Sequence, residues 1–431
     1  MRAAPLPDAP VKRPSAAAAV WAGVFAYLVA VALLIAVAVG TYGFFKVTDV
    51  GYYWKVSDRI ALGLRPYVDF PFEYPPLASL FIRLPRYAAA LGVAAQYPYV
   101  FAAEMLALGA GAAIAVGLAA ARVWSGPARL VPPLAFAAGT LACGAIVANR
   151  FDTALALTIA VALLLVVRQR HVAAGAVLGA GFALKLIPVL LLPLAVLSAR
   201  RRWAVVAAFC VAAAAPFLPY IGAPYLAGFV RFHAERPLQF ESVLATPFLL
   251  AHALGVMQVG IATTFGSQAL VAPGADLLAS LSAPAGLAAI AATYVVVLRR
   301  PACLRPENVA LPMLAVLLAF LTFGKVLSPQ FLVWCLPPAA LLVPRYPRLS
   351  ALLLVVAVLT QIEFPGLFYR LIALDPLAIG VVTLRNFGVV AAWATALVNL
   401  WRLPPATRPS EDQGDVTTAA RSRTAPSCFG R

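Results

Sequence analysis

Long apolar stretches, separated by short polar links, dominate the chain. The first covers residues 16–40. Later ones fit residues 97–121, 128–148, 151–167, 203–220, 276–298, 308–323, 329–344, 349–363 and 376–400. About 20 apolar residues carry a helix across a bilayer core, so the pattern predicts an all-α polytopic membrane protein. Residues 77–93 carry Arg83, Pro85 and Arg86, which favours a helix lying at the interface over a crossing. Residues 172–198 have Arg168 and Arg170 before them, Arg200, Arg201 and Arg202 after them, and Lys185 and Pro188 within. Basic residues at both ends favour a hairpin of two short helices over one pass. Helices broken at membrane depth need protein or a wet cavity to satisfy them. The pattern adds up to about twelve transmembrane helices, with both termini cytoplasmic in a multi-pass cell-membrane protein. A single membrane domain then occupies 16–401, between disordered cytoplasmic segments at 1–15 and 402–431.

Composition narrows the class. The 431 residues are 63% hydrophobic and 11% charged, against about 25% charged in a soluble domain. The net charge of +17 comes from clusters between apolar stretches. That is the positive-inside pattern, and no nucleic-acid partner is expected. The first apolar stretch is too long for a signal-peptide core and reads as a retained helix. Five cysteines show neither disulfide nor metal-ligand spacing. With no glycine-rich nucleotide loop and no metal triad, no metal and no cofactor are expected.

The candidate chemistry lies in two outer loops, 41–76 and 221–247. Only 16 residues are acidic, and residues 48–77 hold four of them: Asp49, Asp58, Asp69 and Glu73. Residues 49–64 have the mixed periodicity of an interfacial helix. Asp49 follows the first span. Tyr52, Tyr53 and Trp54 offer faces on which a sugar ring can stack. Tyr67, Tyr74, Pro75 and Pro76 form a stiff return path, which puts Tyr74 near the same substrate. A carboxylate in a half-dry cleft gains proton affinity and suits general-base work. Glu73 divides evenly between a substrate-binding and a structural role. Asp58 and Asp69 read as solvated, or paired with Arg59 and Arg65.

Cations at membrane depth or at its rim form the second group: Lys185, Lys325, Arg385, Arg231 and Arg236. They can hold a lipid phosphate by charge-assisted hydrogen bonds or snorkel to the interface. Lys325 lies in a polar break, Phe323-Gly-Lys-Val-Leu-Ser-Pro-Gln330, that faces outward. His233, one of three histidines, shares the side of Asp49 and suits substrate contact or a structural role.

Several of these segments together resemble glycosyltransferase family 87, the polyprenol-phosphate-mannose-dependent mannosyltransferases of phosphatidylinositol mannoside and lipomannan type. They are Asp49…Tyr53…Gly63-Leu-Arg-Pro-Tyr67…Glu73-Tyr-Pro-Pro76, Lys185-Leu-Ile-Pro188, His233…Glu235-Arg236-Pro…Glu241-Ser242, and Gly324-Lys-Val-Leu-Ser-Pro-Gln330 with Trp334 and Pro337. The resemblance spans about residues 20–400. It implies a GT-C-type fold and inverting transfer of mannose from a polyprenyl phosphate to a lipid or glycan acceptor on the extracytoplasmic face. Asp49 would be the general base. Tyr53, Trp54, Glu73, Tyr74 and His233 would contact substrate, and Lys325, Arg236 and Lys185 the donor phosphate. Arabinose and glucose stay open as donor sugars. The alternative is a polytopic transporter or lipid-linked sugar flippase. Against it, the halves show no internal repeat and the acidic residues gather in one loop. A scaffold would not require Asp49.

Overall fold

A computed structural model describes residues 15–41, 47–88 and 96–405. The terminal segments 1–14 and 406–431, most of the two expected tails, lie outside the described residues. So do 42–46 in the first outer loop and 89–95. Helix α1 (Ala16–Thr41) is followed by α2 (Val50–Ala61) and α3 (Ala78–Ala88). Both short helices are amphipathic. On α2 the buried residues Val50, Tyr53, Val56 and Ser57 recur at helical spacing, as expected of an interfacial helix. The chain continues through α4 (Tyr97–Val123), α5 (Val131–Cys143), α6 (Ile146–Asn149) and α7 (Asp152–Val167). Next come α8 (His171–Leu184), α9 (Leu192–Leu197) and α10 (Arg202–Ala214). The stretch 172–198 is thus two short helices, joined through Lys185 and a 3₁₀ turn over Ile187–Leu191.

The second outer loop holds α11 (Gly228–Glu235) and α12 (Thr246–Ala253). It is followed by an antiparallel hairpin, β1 (Gly260–Thr264) with β2 (Ser267–Val271), in register Gly260↔Val271 through Thr264↔Ser267. Its two-residue turn, Phe265-Gly266, has positive φ at both positions, as a type I′ turn requires. Nothing in the apolar pattern announced these strands, because only a few of their residues alternate. The last part is α13 (Ala275–Arg299), α14 (Ala310–Phe323), α15 (Leu332–Leu342), α16 (Pro347–Gln361), α17 (Phe368–Ile372) and α18 (Pro376–Trp401).

Among the described residues, six helices are long and apolar enough to cross a membrane, and six shorter apolar helices span 10–17 residues. Burial divides them. Every residue from Ala310 to Ala319 on α14 is buried, so this all-apolar helix is the bundle's centre. In contrast, α1 exposes Trp21 and Phe25, each 70% accessible, and α10 exposes Trp203 and Val211. Apolar surface on that scale belongs against lipid. The chain is a multi-pass membrane protein.

Two glycines set the closest helix contact. Gly175 and Gly179 lie four apart on α8, facing α10. A Cβ on Gly175 would sit 2.5 Å from the Val205 carbonyl oxygen, and one on Gly179 would collide with the Phe209 carbonyl. Small residues at this spacing let helix backbones approach in a membrane. Gly179→Leu must push α10 outward and is expected to cost about 1–3 kcal/mol. Thermal unfolding of the purified protein in detergent checks this; an unchanged midpoint would show that α10 can move freely.

Candidate active site

The polar groups converge where helices stop or break. Asp49 stands at the N-cap of α2, but its side chain caps nothing. Thr48 Oγ1 takes the Val50 N–H instead, at 3.1 Å. The Asp49 carboxylate turns to Arg150, whose Nε lies 3.1 Å from Oδ2; the arginine side chain is 6% exposed and the aspartate 38%. Arg150 occupies the link between α6 and α7 and also donates to Thr48 Oγ1 at 3.2 Å and the Asn149 carbonyl at 3.3 Å. A buried guanidinium therefore forms an ion pair with Asp49 from the protein side, without a hydrogen bond from its Nε, and leaves the carboxylate accessible from outside.

Asp152, the first residue of α7, is buried. Its Oδ1 accepts from Lys185 Nζ at 2.6 Å and from Trp334 Nε1 at 2.7 Å. Lys185 follows α8 directly, and its ammonium lies 4.8–5.2 Å from the ring centres of Phe151, Phe331 and Trp334. The lysine expected to meet a phosphate is thus held by a carboxylate inside an aromatic cage.

Glu73 is the meeting point of both outer loops. Burial raises the proton affinity of its carboxyl and the Asp49 charge adds to this; a hydrogen bond with Tyr74 and the charges of Arg236 and Lys185 oppose it. The hydroxyl of Tyr52 and the ring of His233 both reach the Glu73 backbone. Burial, with the Arg236 charge next, pushes His233 down to about 4, so the imidazole is neutral at neutral pH. The loops are stitched together by backbone. Tyr225 N–H donates to the Tyr67 carbonyl and so joins the two loops, while Leu77 N–H donates to the Ala183 carbonyl and ties the end of the first loop to α8, each at 2.9 Å. Tyr67 itself has φ 63°, a strained conformation for an aromatic residue. Its hydroxyl donates to the Tyr74 carbonyl, and this bond helps hold it.

Of the cations near Glu73, Arg236 and Lys325 form no ion pair with a carboxylate among the described residues. Arg236 stacks over Phe232 at 5.7 Å and its buried Nε has no acceptor among the described residues. Lys325 Nζ donates to the Ala234 carbonyl at 2.7 Å. Burial and the charge of Arg236 lower the proton affinity of the Lys325 amine, so the two cations repel each other across one space. Positive charge left without a carboxylate partner has the chemistry to attract an anion. Among the described residues, no group of three or more His, Cys, Asp or Glu side chains could hold a metal ion.

Other expectations are rearranged. Tyr53 was to offer a stacking face, yet it is 1% exposed and packed by Phe101, Phe151 and Tyr74. Trp54 lies stacked on Tyr97 at 5.9 Å. Tyr52 is the accessible ring beside Glu73, since helical spacing turns the next two residues inward. Asp58 pairs with Arg86 at 3.3 Å instead of Arg59, while Asp69 pairs with Arg65 at 3.7 Å as expected. Arg231 forms an exposed pair with Glu235 on its own helix, outside the site. Arg385 is buried beside Glu363, not at the rim. Arg150 and Asp152, in the short link Asn149-Arg-Phe-Asp152, are not among the residues singled out from the sequence. The available signal was opposite charges between two apolar stretches.

A polytopic helical membrane protein with carboxylates and unpaired cations at one end of its bundle is the class that fold and site define. The chain belongs to glycosyltransferase family 87, whose model matches residues 72–329, more than half of its length. It is therefore a membrane glycosyltransferase, and the GT-C-type fold comes with the family. Glu73, Asp152, Lys185, His233, Arg236 and Lys325 fall inside the matched range, and Asp49 lies before it. Crystal structures of ArnT from Cupriavidus metallidurans are similar over 85% of this chain and 76% of theirs. The apo state shares 16% identity at a TM-score of 0.43, and the form bound to undecaprenyl phosphate shares 17% at 0.44. No curated protein sequence gives a significant match.

Removing one partner of a buried pair strands the other, at about 3–5 kcal/mol. Asp152→Asn is expected to destabilise by that amount, and Trp334→Phe, which loses one bond to a charged acceptor, by about 1.5–3 kcal/mol. Denaturant unfolding in detergent measures both, and equal losses would contradict the dominance of the ion pair. Because His233 is already neutral above about 4, His233→Gln should leave the shape of the pH–rate profile unchanged from about pH 5 to 8. A limb in that window that vanishes in the variant would refute this.

Proposed function

We infer that the protein transfers a sugar, with inversion, from a polyprenyl-phosphate-linked donor to a lipid or glycan acceptor at the extracytoplasmic face of the cell membrane. Mannose is the sugar that the family resemblance implies. One observation carries this reading: the uncompensated cations Arg236 and Lys325 share a site with the carboxylates Asp49 and Glu73. A phosphate leaving group needs the first pair and an attacking hydroxyl needs a base from the second.

Asp49 acts as the base. Arg150 orients its carboxylate, and the accessible side meets the acceptor hydroxyl. As the hydroxyl oxygen bonds to the anomeric carbon, Asp49 takes its proton and the bond to the donor phosphate breaks on the opposite face. Negative charge grows on the phosphate, where Arg236 and Lys325 stabilise it. Neutral His233, the Tyr52 hydroxyl and the Tyr74 hydroxyl surround Glu73 and shape the sugar pocket. Lys185 contributes its field while remaining bound to Asp152.

The helix ends support the orientation. Asp152 opens α7, Lys185 follows α8 and Lys325 lies just beyond α14. The opposite ends of the bundle carry Arg168 and Arg170, Arg200–Arg202, Arg299 and Arg300, and Arg345 with Arg348. Arginine-rich links stay cytoplasmic, which supports a reading with the site outside and both termini inside.

Purified protein with radiolabelled polyprenyl-phosphate-mannose and a lipid extract from the source cell tests the assignment. Label is expected to move to a lipid or glycan, with Asp49→Asn slowing transfer by about 10²–10⁴-fold. Arg236→Ala should lower kcat/KM for the donor by about 10²-fold, and Lys325→Ala should raise the donor concentration required. A folded Asp49→Asn protein at full rate would remove Asp49 from the base role.

A further inference from the structure

Behind the sugar site lies a polar cluster that the transfer reading leaves unused. Glu241, Glu363, Arg385 and Asn386 are each 2% exposed or less. Arg385 Nη2 donates to the Glu241 carbonyl at 2.9 Å and lies 3.7 Å from Glu363 Oε2. Asn386 Nδ2 donates to the Glu241 and Ser242 carbonyls and to Thr246 Oγ1. Gln239 Nε2 donates to Glu241 Oε2. Glu241 Oε1 and both Glu363 carboxylate oxygens have no donor among the described residues.

Charge balance decides the state of this cluster. Two ionised carboxylates against one guanidinium would leave a negative charge buried without compensation, which is costly. Both residues border the Arg385 guanidinium, Glu363 through its carboxylate and Glu241 through its carbonyl, three of their four carboxyl oxygens lack a donor among the described residues, and two buried carboxylates around one cation do not both ionise. A proton between them satisfies the facing oxygens and leaves one negative charge for Arg385.

The cluster also bears on the base. Arg150 stands between it and Asp49: the guanidinium lies 5.9 Å from the ring centre of Phe364, the neighbour of Glu363, and its charge acts on Glu241. A second inner carboxylate would compete with Asp49 for Arg150. We propose that Glu241 and Glu363 share one proton, and that this neutral inner cluster is what commits Arg150 to positioning Asp49. The proposal rests on the transferase reading for its consequence, but not for the shared proton. The groups facing Glu241 are Gln239 from its own loop, Glu363 from the end of α16, Arg385 and Asn386 from α18, Thr246 from α12 and Arg150 from the α6–α7 link. Burial first, and then the Glu363 charge, push the Glu241 carboxyl far above the usual carboxylate range.

Infrared spectroscopy of the purified full-length protein through a pH titration tests the shared proton without substrate. A protonated carboxyl band is expected at neutral pH and is lost in both Glu241→Gln and Glu363→Gln, because either amide leaves one carboxylate and one guanidinium, Arg385, so that charge balances without a proton. The double variant strands Arg385 and should unfold at a lower temperature than either single variant. In kinetics, each single variant keeps transfer near the wild-type rate at neutral pH. Each also shifts the alkaline limb of kcat/KM to higher pH, since no proton remains to be lost behind Arg150. A band that survives either substitution, or is absent from the wild type, overturns the shared proton. A lost band with an unmoved alkaline limb overturns the link to Asp49. A wild-type protein with the band but no sugar transfer counts against the transferase reading instead.

Discussion

The Lys185–Asp152 ion pair is the contact on which the site depends. It joins the start of α7 to the end of α8, and the Trp334 indole adds α15. A charge at this depth is tolerable only when paired and bonded, so each of the three helix ends is bound to the other two. Lys185 could not be spared for another anion without stranding Asp152. The cations outside such a pair, Arg236 and Lys325, sit instead in two segments that the Gln239 N–H joins to each other at the Lys325 carbonyl, at 2.8 Å.

A second constraint follows from the membrane. Backbone that leaves a helix in an apolar layer must find partners, and here the breaks find them among one another. Gln361, at the end of α16, donates to the Cys143 carbonyl at the end of α5, at 2.5 Å. Gly144 makes room for that side chain, since a Cβ there would collide with Gln361. The broken ends of α5, α8, α14 and α16 therefore gather at one end of the bundle. Their polar groups are both what satisfies the breaks and what can act on a substrate.

Three arginines show how differently one fold uses the same residue. Arg150 is buried but keeps one partner at the surface, which gives Asp49 a fixed direction. Arg385 is buried completely and faces only carboxyl and amide groups. Arg236 has its side chain partly sunk and no counter-ion. Position relative to the carboxylates, not residue type, separates a cation paired at the surface, a cation balanced in the interior and a cation without a carboxylate partner among the described residues.

Much of the framework was legible in the chain. Apolar length fixed the helices, and basic residues at both ends of 172–198 revealed its hairpin. The placement of Asp49 and Glu73 after the first span singled out the loop that holds both carboxylates. Those features are local: hydropathy, helix length and charge bias act over tens of residues. The partners were not legible. Arg150 lies 101 positions from Asp49 and Trp334 lies 182 from Asp152, and only packing decides which buried charges meet. For the same reason Tyr53 and Trp54 turned inward while Tyr52 stayed at the site. A sequence states which residues can carry charge; the fold decides which of those charges are already neutralised and which are left for a substrate.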